Sequence, residues 1–220
     1  MVELEVGYLF RKAPDGMQHQ TPFLLKLTLA DWLQAQVGGN GGVFGITNGE
    51  GYRYFDDMMA GFKFRLFRQQ APTPTVSFSA MVAIPTSQQK GYLRTYKALF
   101  TLYLSRDFGW LHADFNLGLN ALRLEGDARF QGWVALSLNA PIAGDFGAGL
   151  EGYLFTRAGD LAPTDAGILF GPTWSPLPWL VFDIGADVGL VRSTRSVSAF
   201  LGMTMIPARL WTPSRGGGRR

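Results

Sequence analysis

A period of two constrains this chain more than any other feature. Over stretches of roughly ten residues, apolar and polar side chains alternate, and the stretch recurs about a dozen times. Leu111 to Asn120 shows it most clearly. Leu111, Ala113, Phe115, Leu117 and Leu119 fall on one side, and His112, Asp114, Asn116, Gly118 and Asn120 fall on the other. Successive strand side chains point to opposite faces, so this is a two-faced β-strand and not an amphipathic helix. Leu180 to Leu190 repeats the pattern, with Asp183 and Asp187 opposite Leu180, Phe182, Ile184, Ala186, Val188 and Leu190. Both runs are long enough to cross a bilayer at a tilt.

The same reading places the other strands at Val2 to Arg11, Thr21 to Leu29, Trp32 to Val37, Ala60 to Phe67, Thr75 to Ile84 and Tyr96 to Ser105. It continues through Phe130 to Asn139, Phe146 to Thr156, Asp165 to Trp174 and Val197 to Ile206. Nearly every charged residue within these spans has the parity opposite to the Leu/Phe/Val stripe, so one face is free of charge throughout. An all-β fold follows: a transmembrane, antiparallel, up-and-down barrel of about twelve strands over residues 1–211, with a disordered tail at 212–220. A soluble sandwich or lipocalin-like barrel also alternates, but with shorter strands.

Composition narrows the alternatives. With 47% hydrophobic residues and only 17% charged, the chain has enough apolar surface to leave the disordered class. The absence of cysteine excludes a disulfide scaffold and any Cys-ligated metal site, and it suits passage through an oxidising envelope. The net charge of +3 owes part of its value to Arg215, Arg219 and Arg220 in the tail, and elsewhere both signs are dispersed, so nucleic acid is not an expected partner. The two longest charge-free runs, Trp32 to Gly49 and Gln69 to Gln89, are too rich in Gly, Asn, Gln or Pro to insert as helices. The opening "MVELEVGYLF" lacks the basic and then apolar pattern of a signal peptide, as expected of a mature exported chain.

Connections and aromatic residues point the same way. Joins near Ala30–Asp31, Gln69 to Pro74, Arg106 to Gly109, Ala140 to Asp145 and Ser175 to Pro178 are tight. Those at Ala13 to Gln20, Gly38 to Asp57 and Thr86 to Thr95 are longer, as in barrels with short periplasmic turns and long outer loops. Trp32, Trp110, Trp174, Trp179 and Trp211 fall beside the short turns and form an expected interface girdle, while Tyr8, Tyr52, Tyr54, Tyr92 and Tyr96 gather toward the other end.

The blocks "TPFLLKLTLADWLQAQVGGNG", "YFDDMMAGFKFRLF", "GWLHADFNLGLN" and "PWLVFDIGADVGLVRST" resemble outer-membrane β-barrel proteins of the transporter-like group named for a MetA pathway of phenol degradation. The likeness runs from Val2 to Trp211. It implies export, outer-membrane insertion and passage of small compounds, aromatic ones among them, and it carries over no catalytic or binding residue. The tail "TPSRGGGRR" departs from the common barrel habit of ending on an aromatic residue, which places the expected assembly signal at "MIPARLW".

Catalytic motifs are sparse. "GAGLEG" at Gly147 to Gly152 matches a dinucleotide fingerprint in letters only, because an alternating strand follows where a helix is required. His112 and Asp114, with Ser105 across a short turn, raise an outer-membrane hydrolase as a third reading. Residues i and i+2 on a strand stand too far apart for a direct hydrogen bond unless the side chains lean together. No enzyme, cofactor or metal is expected.

The lumen-parity charges carry more information. Glu3, Glu5, Arg11, Lys26, Lys63, Arg65, Lys97, Tyr103, His112, Asp114, Trp133, Glu151, Tyr153, Asp183 and Asp187 are the candidate lumen-lining residues. Bases concentrate on one arc of the closed wall and acids on the opposite arc. The charges therefore either set up a field across the lumen that orients dipolar solutes, or pair off and fill it. Apolar residues share the parity (Leu9, Leu24, Phe67, Met81, Leu99, Phe155, Leu169 and Phe200), giving a greasier lining than a general porin. The Gly38 to Asp57 loop is long enough to fold inward as a constriction, though a solvated external loop is the favoured expectation. The expected function is a monomeric outer-membrane channel for passive uptake of small amphipathic or aromatic solutes, with the lipid bilayer and the barrel-assembly machinery as partners. The alternative is a filled, non-conducting barrel with a structural or assembly role.

Overall fold

The computed structural model describes residues 1–87, 96–124, 127–160, 162–191 and 195–208. All regular structure among them is strand: β1 (Val2–Ala13), β2 (Gly16–Gln20), β3 (Phe23–Ala30), β4 (Leu33–Gly39), β5 (Gly42–Thr47), β6 (Glu50–Phe55), β7 (Met58–Phe67), β8 (Thr75–Ile84), β9 (Tyr96–Phe108), β10 (Leu111–Leu124), β11 (Asp127–Ala143), β12 (Phe146–Phe155), β13 (Asp165–Leu177), β14 (Leu180–Gly189) and β15 (Val197–Ala208). Each wall strand pairs antiparallel with its neighbours in the order β15 to β7, then β4, β3 and β1. β1 returns to β15 from Val2↔Ala208 to Lys12↔Val197. The result is a closed transmembrane barrel of twelve strands. Closure satisfies every wall edge, the condition for crossing hydrocarbon with strands.

The other three strands extend the wall at one end. β2 continues the line of β3 past Thr21–Pro22, β5 continues β4 past Asn40–Gly41, and β6 continues β7 past Asp56–Asp57. β1 runs the full height, pairing with β3 in its first half and β2 in its second. The three breaks lie side by side. Thr21 N donates to Asn40 and Gly42 carbonyls, Asp56 N donates to Gly41 O, and Asn40 Nδ2 donates to the Asp56 carboxylate at 2.7 Å. This corrects two sequence expectations, because Ala13 to Gln20 and Gly38 to Asp57 are tall hairpins and not long loops. For the second, the physical cause is at its tip. Asn48 and Gly49 both take positive φ, 51° and 84°, giving the turn whose twist matches the flanking strands. Tyr54, on this extension, is pushed up to about 12 by burial and by Asp56 and Tyr52, so its hydroxyl stays protonated.

At the opposite end the turns are short, at Asp31–Trp32, Gly109–Trp110, Gly144–Asp145 and Pro178–Trp179. Trp32, Trp110, Trp174 and Trp179 are all exposed at this end, with Trp174 stacked between Phe146 and Phe182. Trp211, Tyr92, the 212–220 tail, the C-terminal half of "MIPARLW" and most of Thr86 to Thr95 lie outside the described residues.

Outward positions carry large exposed apolar side chains along the whole wall, among them Leu25, Phe62, Val82, Phe100, Leu117, Leu136, Leu150, Ile184 and Leu201. Inward positions carry buried polar ones: Gln36, Ser77, Ser79, Thr101, Asn120, Gln131 and Ser198 are each under a tenth exposed. That is a soluble protein turned inside out, as lipid requires. Phe67 breaks the expected parity. A bulge between Arg65 and Phe67 moves it onto the row of Val76, so it is 62% exposed on the outside and does not line the lumen.

Candidate solute pathway

Register builds the interior in rows. One row runs Lys63, Ser79, Thr101, Gly118, Trp133, Phe155, and the next runs Arg65, Ser77, Tyr103, Asn116, Ala135, Tyr153. A third holds Ser105, Asp114, Ser137, Glu151, Leu169, Asp187, Ser198 and Arg11. Large inward side chains lie over glycines on neighbouring strands: Trp133 over Gly118, Tyr153 over Gly167, Phe200 over Gly185 and the Asp183 carboxylate over Gly202. A Cβ at any of these glycines would collide with the side chain above it, so these glycines give the bulky residues room to lie flat along the wall.

The charged candidates fall into two groups. In the first, charge is matched locally. Lys26 Nζ donates to Glu3 at 2.8 Å and also to Glu5, both on the adjacent β1. Asp114 accepts from Ser105 Oγ and lies 3.1 Å from His112 Nε2, while His112 Nδ1 contacts Asp107 at 2.6 Å. Asp187 accepts from Tyr153 at 3.0 Å and from Ser198 at 3.4 Å. In the second group, no opposite charge is within ion-pair reach among the described residues. Lys63 sits over the Tyr103 ring at 3.8 Å, and the Tyr103 hydroxyl shares a 3.1 Å hydrogen bond with Ser79. Arg65 donates to the Asp31 carbonyl. Glu151 and Asp183 face the lumen from β12 and β14. In the ring of twelve, β7 stands opposite the β12 to β14 arc. Among the described residues, Arg11 has a buried Nε without a hydrogen-bond partner, and Lys97 is exposed in a bulge at the start of β9.

The His112, Asp114 and Ser105 arrangement differs from what the two-residue spacing suggests, since the side chains do lean together. Their order is nevertheless wrong for nucleophilic catalysis. Asp114 stands between the serine and the histidine, both histidine nitrogens face carboxylates, and Ser105 bonds to the Asp114 carboxylate and not to the imidazole.

Among the described residues, one cavity at each end of the barrel bears on a solute's path. The lower one, about 610 Å³ and at the short-turn end, has a mixed lining in which Lys26, Lys63, Arg65, Gln34, Ser77 and Ser105 stand beside Trp32 and Leu33. The upper one, about 470 Å³ and just beneath the strand breaks, is mainly apolar. Leu24, Met59, Met81, Leu99, Trp133 and Phe155 form its walls, with Asn120, Asp56 and Asp57 as polar points. Asn120 accepts from Trp133 Nε1 at 3.1 Å and donates to Gln131 at 3.3 Å, which fixes the indole. Beside this end, Leu122 is buried against Ala158 and Ala162 of the β12–β13 connection. The sequence supplies the parity of these residues, but the apolar pocket depends on pairings that only the register reveals.

No family model matches the chain, and no curated protein matches it. Among solved structures, the chain is similar to the NanC porin, with 12% identity over 92% of this chain and 99% of that one and a TM-score of 0.63. It is also similar to the CymD monoaromatic hydrocarbon channel, with 8% identity over 93% and 88% of the two chains and a TM-score of 0.56. The class is therefore defined by fold: a twelve-stranded β-barrel of the outer-membrane type. The resemblance to the phenol-degradation group rests on the quoted sequence blocks alone.

Proposed function

We propose that this protein is an outer-membrane channel through which small amphipathic solutes, aromatic ones included, pass passively. One observation carries the reading: a closed barrel with an apolar outer wall holds a cavity bearing Lys26, Lys63 and Arg65 at one end and a mainly apolar, aromatic-walled cavity at the other. A lining of this mixed kind offers a solute contact for both a ring and a charge, which suits selective passage better than bulk salt flow. The names of the NanC and CymD structures, a porin and a hydrocarbon channel, accord with it. The wall residues serve as a conduit and not as an enzyme, in keeping with the order of Ser105, Asp114 and His112. The bilayer is its partner, the monomer its working unit, and the assembly machinery its route into the membrane.

Planar-bilayer recording of the purified protein tests this. Stable current steps are expected, with ion selectivity that changes in Lys63→Glu and in Asp183→Lys. A correctly folded barrel that passes no current would favour the second reading, a filled scaffold, for which the pairing of Lys26 with Glu3 and Glu5 is the supporting feature.

A further inference from the structure

Local pairing removes most of the interior charge from consideration and leaves a simple remainder. Lys26 is matched by Glu3 and Glu5, Asp114 is held by Ser105 and His112, and Asp187 is held by Tyr153 and Ser198. Besides Arg11 on β1, whose buried Nε has no hydrogen-bond partner among the described residues, what remains is two cations on β7, Lys63 and Arg65, and two carboxylates on the opposite arc, Glu151 and Asp183. None of the four has an oppositely charged side chain within ion-pair distance among the described residues. All four are partly buried. Lys63 has only the Tyr103 ring and Arg65 the Asp31 carbonyl, and holding such charges in the lumen with no opposite charge beside them is costly unless something that passes through satisfies them. An anion would meet the β7 side and be repelled by the far wall, and a cation would meet the reverse. A solute with both charges is favoured from both sides, and more so as its charges stand further apart.

We propose that the lumen selects zwitterionic solutes, with the carboxylate end turned toward Lys63 and Arg65 and the ammonium end toward Glu151 and Asp183. Its apolar body fits the same passage. Along β9, Leu99 of the upper cavity and Tyr103 beneath Lys63 are four residues apart, roughly 13 Å of strand, so a short apolar solute meets the apolar pocket and then the charged zone in succession. This inference rests on the channel reading for its biological meaning, but the site itself can be measured without current.

Three matched probes test it: 4-(aminomethyl)benzoate, which carries both charges, 4-methylbenzoate, which lacks the ammonium, and 4-methylbenzylamine, which lacks the carboxylate. Binding to the detergent-folded barrel is read by calorimetry, and block of current is read in bilayers. The zwitterion is expected to bind about tenfold more tightly than either single-charge probe. Lys63→Gln should weaken the zwitterion and the benzoate about tenfold and leave the amine unchanged, and Asp183→Asn should weaken the zwitterion and the amine and spare the benzoate. Arg65→Gln and Glu151→Gln provide second variants should either substitution disturb folding. Equal binding of benzoate and zwitterion, or insensitivity of the zwitterion to Asp183→Asn, would overturn the proposal while leaving a conducting channel intact. Charge-dependent binding in a barrel that passes no current would retain the site and overturn the channel.

Discussion

At the scale of single residues, the interior is governed by which charges find a neighbour. Lys26 is the clearest case, because Glu3 and Glu5 share one face of β1 and both turn to it from adjacent pairing positions. Removing the ammonium leaves two carboxylates side by side and partly shielded from water. Lys26→Met is therefore expected to destabilise the folded barrel by about 1–3 kcal/mol, measured as a lower guanidinium midpoint in detergent. Lys26→Met with Glu5→Gln should recover part of the loss, since one of the facing charges is gone. A midpoint unchanged in the single variant would show that lumen water screens the pair completely. Reading such pairs from sequence was out of reach. Parity tells that Glu3, Glu5 and Lys26 share a side, but the register Glu3↔Lys26 depends on where the first hairpin turns. His112 and Asp114 failed in the opposite direction: two-residue spacing keeps the backbones apart, yet side-chain lean closes the gap to 3.1 Å.

At the scale of elements, the turns decide where wall ends and extension begins. Twelve wall strands were legible because lipid on one side and a polar interior on the other impose a strict period of two over long runs. The extension was not, although its signal was present in Asn48-Gly49, because the glycines at 38, 39, 41, 42, 45, 49 and 51 dilute the alternation into something that reads as loop. Phe67 escapes the pattern for a related reason, since a bulge adds one residue without leaving any mark in the alternation. The tip is testable. Gly49→Val puts a β-branched residue at a φ of 84°, which should cost about 1–3 kcal/mol locally. Hydrogen exchange is expected to rise across β5 and β6 and stay unchanged in β9 to β14. Exchange rising throughout the barrel would show that the extension and the wall unfold together.

At the scale of the whole molecule, the bilayer is the solvent for one face and the lumen for the other. Leu117, nearly half exposed midway along β10, belongs to the lipid-facing side. Leu117→Arg is expected to lower stability in phospholipid vesicles by about 2–4 kcal/mol, while the same change in a soluble fold's exposed leucine would be nearly silent. Urea titration of the vesicle-inserted barrel reads the difference. A neutral result would place this band of the wall in water.

The seam between β1 and β15 carries a further consequence. It joins Val2 to Ala208, so the last hydrogen bonds of the wall are made between the two extremes of the described chain. Until they form, the sheet has two raw edges. Every earlier stage is a sticky, curling ribbon that neither water nor hydrocarbon accommodates well, and contacts so remote in sequence are the slowest to find one another. A half-barrel would leave both edges unpaired, which hydrocarbon does not tolerate. Such a chain favours being kept from neighbouring ribbons until its final strand arrives, and then closing in a single commitment.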